Sequence, residues 1–285
     1  MSDTSPPTAD VPEAWVRDGP ALIRAHHARF RILVEECSRM HRAGLDAAAA
    51  AFAEMAALYA VNEHVGTFAC PELDDVLLDI GRRRVRSPKP RRSGRSDGRM
   101  HVLHVATAVQ GIGGMPQMLR RWIGLDAARR HSLALTRQRR PLAPPIRAAV
   151  EATGGTIVQA NREMGGPIAW ARGLRAAAAT ADLVVLHIGN RDVVPILAMA
   201  DPTDRPPLVL VNHADHQFWL GPQLADIVIS NRPSGRALAE LRRGIAAARS
   251  HLLPVPVEPV ERQLSREAAK ARLGLPPETI LAVSI

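Results

Sequence analysis

The stretch VNHADHQFWLG, residues 211–221, sets His213, Asp215 and His216 within four positions, with Phe218 and Trp219 close behind. Three chemistries suit these residue types. Imidazoles and a carboxylate held at a strand end can hydrogen-bond hydroxyls or a phosphate while an aromatic ring forms an apolar platform, which is the chemistry of sugar recognition. His-x-Asp-His also offers three ligands to a metal ion. Ligands so crowded rarely all converge, however, and the sequence shows no second Asp/His cluster to complete such a site. In the third reading the motif is structural: His213 caps a strand and Phe218 and Trp219 plug a sheet edge.

Two more segments carry candidate residues. TAVQGIGGMPQMLRRWI, from Thr107, holds Gly111, Gly113 and Gly114, which let the backbone approach a ligand closely, and Pro116, which is preset to open a helix. Together they aim free N–H groups and a helix dipole at an anion; a purely structural tight turn is the competing reading. The loop is not the dinucleotide fingerprint. Pro116 stands where the third glycine belongs, and the next apolar run ends in TRQRR with no acid for a ribose. Nor is it a P-loop, since no Gly-Lys-Ser/Thr follows. The second segment, LHIGNRD, supplies His187, Asn190 and Arg191 as substrate-contacting candidates, or else a structural strand-end histidine.

The elements that position these residues are readable from the pattern beyond Met100. MHVLHVAT, HSLALT, GTIVQA, DLVVLHIG, PLVLVNH and DIVISN are short aliphatic runs, most of them separated by helical stretches such as PPIRAAVEATG and PIAWARGLRAAAATA. This alternation predicts an α/β domain with a doubly wound parallel sheet covered by helices on both faces. Such sheets bind ligands at the carboxyl ends of their strands, where all three candidate segments fall. Before Met100 the pattern is helical. Apolar spacing predicts a helix over 21–43, a second capped by Asp46 through the alanine run, and a third beginning at Pro71.

Composition bounds the rest. Apolar residues make up 46% of 285 and charged residues 23%, as in a globular protein of one or two domains. The net charge of +9 is concentrated: nine basic residues lie between Arg82 and Arg99, against Asp97 alone. That Pro/Ser/Gly-rich stretch predicts a flexible basic linker, with contact to an anionic membrane surface as a second use. No aromatic residue interleaves its arginines, which disfavours nucleic acid as a partner. The start lacks the basic and apolar regions of a signal peptide, and Cys37 and Cys70 suit a reducing compartment, so a cytoplasmic location is expected. The expected division is a helical module over 1–81, a linker over 82–99, the parallel-sheet domain over 100–257, and a connector with one strand, ETILAVSI, over 258–285.

On these residues the chain resembles a known family. HVLHVATAVQGIGGMPQMLRRWI is similar to the opening of the acceptor-side Rossmann-like domain of GT-B-fold glycosyltransferases of the family-4 (group 1) type, and VNHADHQFWLGPQLADIVISNRPSG to its later part. LLPVPVEPVERQLSREAAKARLGLPPETILAVSI resembles the connector into the donor domain, where a proline-rich strand precedes the R..LGLP pattern. NEHVGTFACPELDDVLLDIG looks like an N-terminal extension of some bacterial members. The resemblance implies retaining transfer of a sugar from a nucleotide-sugar donor to a glycan or lipid-linked acceptor, with no metal and no bound cofactor. It implies that His213, with Asp215 and His216, forms the catalytic group contacting the transferred sugar or the acceptor hydroxyl. Gly113, Gly114, His187, Asn190, Arg191, Asn212 and Trp219 would line the substrate cleft. The sequence ends one strand into what would be the donor domain, so the chain by itself is expected to be inactive in transfer. The alternative is a non-catalytic Rossmann-like module that binds a nucleotide, a glycan or a partner.

Overall fold

The computed structural model describes residues 13–86, 98–257 and 261–282, in two compact units, Met1–Val255 and Pro256–Ile285. In the first, seven strands form one all-parallel sheet: β1 His101–Ala106, β2 Arg130–Leu135, β3 Ile157–Gln159, β4 Leu183–His187, β5 Leu208–Asn212, β6 Ile227–Ser230 and β7 Ser250–Leu252. Their spatial order is β3-β2-β1-β4-β5-β6-β7. The doubly wound, Rossmann-like architecture expected from the sequence is the one observed. The strand order reverses between β1 and β4, and the crevice outside the carboxyl ends of those two strands is the place such sheets offer a ligand.

Alternating side chains divide the two faces. On one, Leu119 and Ile123 of α4 (Gly114–Leu125) and Ile146 and Val150 of α5 (Pro144–Ala152) pack on Leu133, Leu135 and Ala106. On the other, Leu103, Val105, Val184, Leu186 and Leu210 meet α6 (Gly166–Ala178) and α7 (Val193–Ala198). β7 pairs over only three residues, because Pro254 and Pro256 follow and have no N–H to give a ladder. The strand expected over the proline-rich run LLPVPV is not formed there: β7 ends at Leu252, before the first of its prolines.

Three N-terminal helices share the core of the α6/α7 face: α1 Glu13–Arg42, α2 Asp46–Asn62 and α3 Pro71–Arg84. α1 begins earlier than predicted and carries Pro20 inside it. α2 is nearly all alanine on its packed positions, and this lets α1 and α3 approach closely; Ala49, Ala53, Ala56 and Ala57 are fully buried. Asp46 is not the cap of α2 but its first residue, and its carboxylate pairs with Arg83 and Arg84. Those arginines belong to the last turn of α3, so the basic stretch begins inside a helix rather than in a linker. Positions 87–97 lie outside the described residues. α3 crosses α7 at Gly81, where a Cβ would come within 2.6 Å of the Leu197 carbonyl oxygen; only glycine permits that approach.

Cys37 and Cys70 are both buried, and burial pushes each thiol up to about 12. A thiol held that far above neutrality supplies almost no thiolate. Neither cysteine should react with a thiol reagent in the native protein, and both should react on addition of denaturant; rapid labelling of either under native conditions would contradict the packing described.

The first unit also contains α8, Pro233–Arg243, and the second unit holds one short helix, α9, Arg266–Arg272, among its described residues. Ser265 caps α9 by accepting from the Ala268 amide at 3.1 Å, and Gly274, in the left-handed region, ends it. The strand expected over ETILAVSI is not formed by its described residues, 278–282. An isolated strand has no ladder to satisfy its amides.

Among the described residues no helix is long and apolar enough to cross a membrane.

Candidate ligand site at the carboxyl rim of the sheet

The loops after β1, β4 and β5 lie side by side, because these strands are neighbours. Asp192 stitches the first two together. Its buried carboxylate accepts from Thr107 Oγ1, which follows β1, and from Thr136 Oγ1, which follows β2, and it also caps α7 through the Val194 amide. Thr107 Oγ1 in turn accepts from the Gly189 amide at 2.8 Å. The Asn190 carbonyl accepts from the Leu220 amide and its Nδ2 donates to Gln217, which joins the loops after β4 and β5.

On this frame the glycine loop is open to solvent. Gly111, Gly113 and Gly114 are all exposed, and Gly113 sits at φ 126° before the first turn of α4, where a side chain would be strained. Arg139, Arg140, Arg191 and Arg232 are exposed on the loops after β2, β4 and β6. Arg137 is partly buried: it pairs with Glu54 of α2 at 2.6 Å and lies over the Trp170 ring. Glu54 also stands 3.6 Å from Arg191, so the N-terminal helices reach the rim.

The opening motif divides into two parts. His213 and His216 face solvent. Enclosure by the chain lowers the His213 pKa, despite the Val211 carbonyl that its Nδ1–H reaches at 3.2 Å. Asp215 is turned inward, where Arg232 grips it with two hydrogen bonds of 2.6 and 2.7 Å and holds its pKa down, with His216 Nδ1 at 3.5 Å. Its Oδ2 lies against Gly235 in the first turn of α8, where a Cβ would sit 2.4 Å away. Asn212 donates to the Gly235 carbonyl and to Ser230 Oγ, so it too fastens α8 to the strand end. Among the described residues no group of three metal-ligating side chains forms.

Trp219 is not a platform at the rim. It is 1% exposed, its Nε1 donates to the Ala214 carbonyl, and its backbone amide donates to the Phe68 carbonyl between α2 and α3. Phe218 meets Phe30 of α1 edge-on at 5.6 Å, and the Gly221 amide donates to Asp74 of α3. Arg243 runs beneath the loop, donating to the carbonyls of Asp215 and Gln217 and lying over Phe68 and Trp219. This half of the motif docks the N-terminal helices. His187 is also buried, and its ring points into a row of histidines rather than into solvent.

Of the predicted site residues, then, Gly113, Gly114, Arg191, His213 and His216 share the open rim, Asn190 supports it, and Asp215, Asn212, Trp219 and His187 face inward. The sequence reading missed Asp192, Thr107, Thr136 and Glu54. It also missed Gly165 and Gly166, which carry positive φ and open α6 after β3. MGGP there repeats the Gly-Gly-Met-Pro theme of the first loop and was the available signal.

No protein-family model matches the chain, and no curated protein matches it in sequence.

Proposed function

We propose that this rim binds a nucleotide-sugar and that the chain serves glycosyl transfer to a hydroxyl acceptor, as the resemblance of its glycine loop and HADHQFW segment implies. The observation that supports the reading is that the exposed Gly111–Gly114 loop after β1 and the exposed His213 after β5 lie at the same carboxyl rim, with β4 between them, beside the reversal of strand order and with exposed arginines on three loops of that rim. Glycine amides and guanidinium groups suit a diphosphate, and a neutral imidazole suits a sugar hydroxyl. Arg191 would hold phosphate, with Arg137 fixed by Glu54 behind it. A second reading, binding without turnover, is favoured by Asp215: the one carboxylate of the motif is occupied by Arg232 and leaves His213 without an acidic partner of its own cluster.

Titrating ¹⁵N-labelled protein with UDP, GDP, ADP and their sugars should move the amide resonances of Gly111, Gly113 and Gly114 and the His213 ring at millimolar ligand, with inorganic phosphate moving the glycines alone. If no nucleotide perturbs the glycine loop, the reading fails. Transfer of a labelled sugar to any supplied acceptor would favour the enzyme over the binding module.

A further inference from the structure

His131, His104 and His187 come from β2, β1 and β4, three neighbouring strands, and form one hydrogen-bonded row across the sheet face that Trp122 of α4 covers. His187 Nε2 lies 3.0 Å from His104 Nδ1, and His104 Nε2 lies 2.9 Å from His131 Nδ1. His131 Nε2 reaches the Asp126 backbone carbonyl at 2.9 Å, with the Asp126 carboxylate Oδ2 at 3.5 Å. All three rings are at most 1% exposed, whereas the Asp126 side chain is one-fifth exposed.

The carbonyl sets every proton in the row. It can only accept, so with His131 as the neutral imidazole its proton is on Nε2 and it accepts on Nδ1. His104 must then donate from Nε2 and accept on Nδ1, and His187 must do the same. The row ends on the His187 Nδ1 lone pair, which is buried and has no hydrogen-bond partner among the described residues. Strand register puts Val211 beside His187, and His213, the exposed imidazole of the rim, is two residues further on. The row therefore runs diagonally from the carboxyl rim at β4 to the amino end of β2, with every N–H pointing the same way.

We propose that His187, His104 and His131 form a proton path from the rim beside His213 to solvent at Asp126. A proton arriving on His187 Nδ1 displaces the Nε2 proton to His104 Nδ1; His104 passes its own Nε2 proton to His131 Nδ1, and His131 releases its Nε2 proton to the Asp126 carboxylate. One proton enters and one leaves, and the three rings end as Nδ1–H tautomers; each ring must turn over before a second proton moves the same way, because the reverse transfer only returns the first. Burial, with neighbouring imidazoles, holds His104 well below the ordinary histidine range and His187 down to about 3, so neither of these two rings accumulates as imidazolium. A use for the path, removing the proton that an acceptor hydroxyl loses, rests on the reading of the rim as a transfer site; the path itself does not.

The test needs no sugar, so its outcome is separate from that reading. Two-bond ¹H–¹⁵N correlation spectra at neutral pH should show all three rings as neutral Nε2–H tautomers; an Nδ1–H signature on His187 would overturn the direction of the path. In deuterated buffer the three ring N–H groups should exchange at one common rate, faster than the buried β1 amides of Leu103 and Val105, which exchange only when the sheet opens. Ring exchange no faster than those amides would overturn the path. Asp126→Asn keeps the backbone carbonyl and removes the outlet, and it should slow ring exchange on the order of tenfold while leaving the amides unchanged. Unchanged ring rates in that variant would overturn Asp126 as the outlet.

Discussion

Trp219→Ala should lower the unfolding free energy by about 3–5 kcal/mol, whereas His213→Ala, six residues earlier in the same motif, should change it by about 0.5 kcal/mol or less. The indole is fully buried between the loop after β5 and the N-terminal helices, it satisfies the Ala214 carbonyl, and the Arg243 guanidinium lies 5.8 Å from its ring. Truncation removes that volume and leaves the Ala214 carbonyl with the Gln217 amide as its remaining donor. His213 is exposed, and its Nδ1 bond to the Val211 carbonyl is local. Urea unfolding of both variants measures the contrast. Amide exchange around Phe68 should rise in the tryptophan variant alone, because the Trp219 amide donates there. Similar losses in the two variants would mean that the motif is not divided between core and rim.

Asp74→Asn should remove a pH dependence from the stability of the whole first unit. Burial, aided by the neighbouring Asp75, pushes the Asp74 carboxyl up to about 7, although the Gly221 amide donating to it favours the charged form. The unfolded chain gives up that proton near the ordinary value of 3.8. Between the two values the folded state binds more protons than the unfolded state, so stability falls as pH rises from about 4 to about 7. Below that window the contribution is fully present, and above it the contribution is gone. Asparagine keeps an oxygen for the Gly221 amide and cannot ionise. The variant should match the wild type near pH 4 and exceed it at pH 8 by on the order of 2–4 kcal/mol, or roughly 4–10 °C in Tm. Thermal melts across that range decide it, and parallel curves for the two proteins would show that Asp74 does not titrate as described.

Both predictions concern the seam between the N-terminal helices and the sheet, which was the least legible part of the sequence. Helices over 46–62 and 71–84 could be anticipated from an alanine run and a proline at a first turn, since those signals are local. Their docking was not legible. It depends on Phe30, Phe68 and Asp74 meeting Phe218, Trp219 and Gly221, residues far apart in the chain whose pairing leaves no periodic trace. The same limit explains Asp46. A capping residue and a first-turn residue look alike in sequence, and its pairing with Arg83 across 37 positions decided which one it is.

The chain by itself determined β1 to β6, because buried parallel strands are largely aliphatic runs and the helices between them must carry apolar faces. It also determined that chemistry would gather at strand ends, since the glycines, the arginines and HADHQFW all follow such runs. Which of those residues face solvent was decided only by tertiary structure. Asp215 and Trp219 had the right chemistry for a ligand, but Arg232, Arg243 and the N-terminal helices claimed them, because a buried carboxylate needs its cation and a large ring lowers the free energy most when fully enclosed. The histidine row shows the same division. His104 and His187 are 83 residues apart, and neither carries a signal of the other. The register of β1 against its neighbours places their rings in reach, and the Asp126 backbone carbonyl, bonded to a neutral His131, then orients the protons between them.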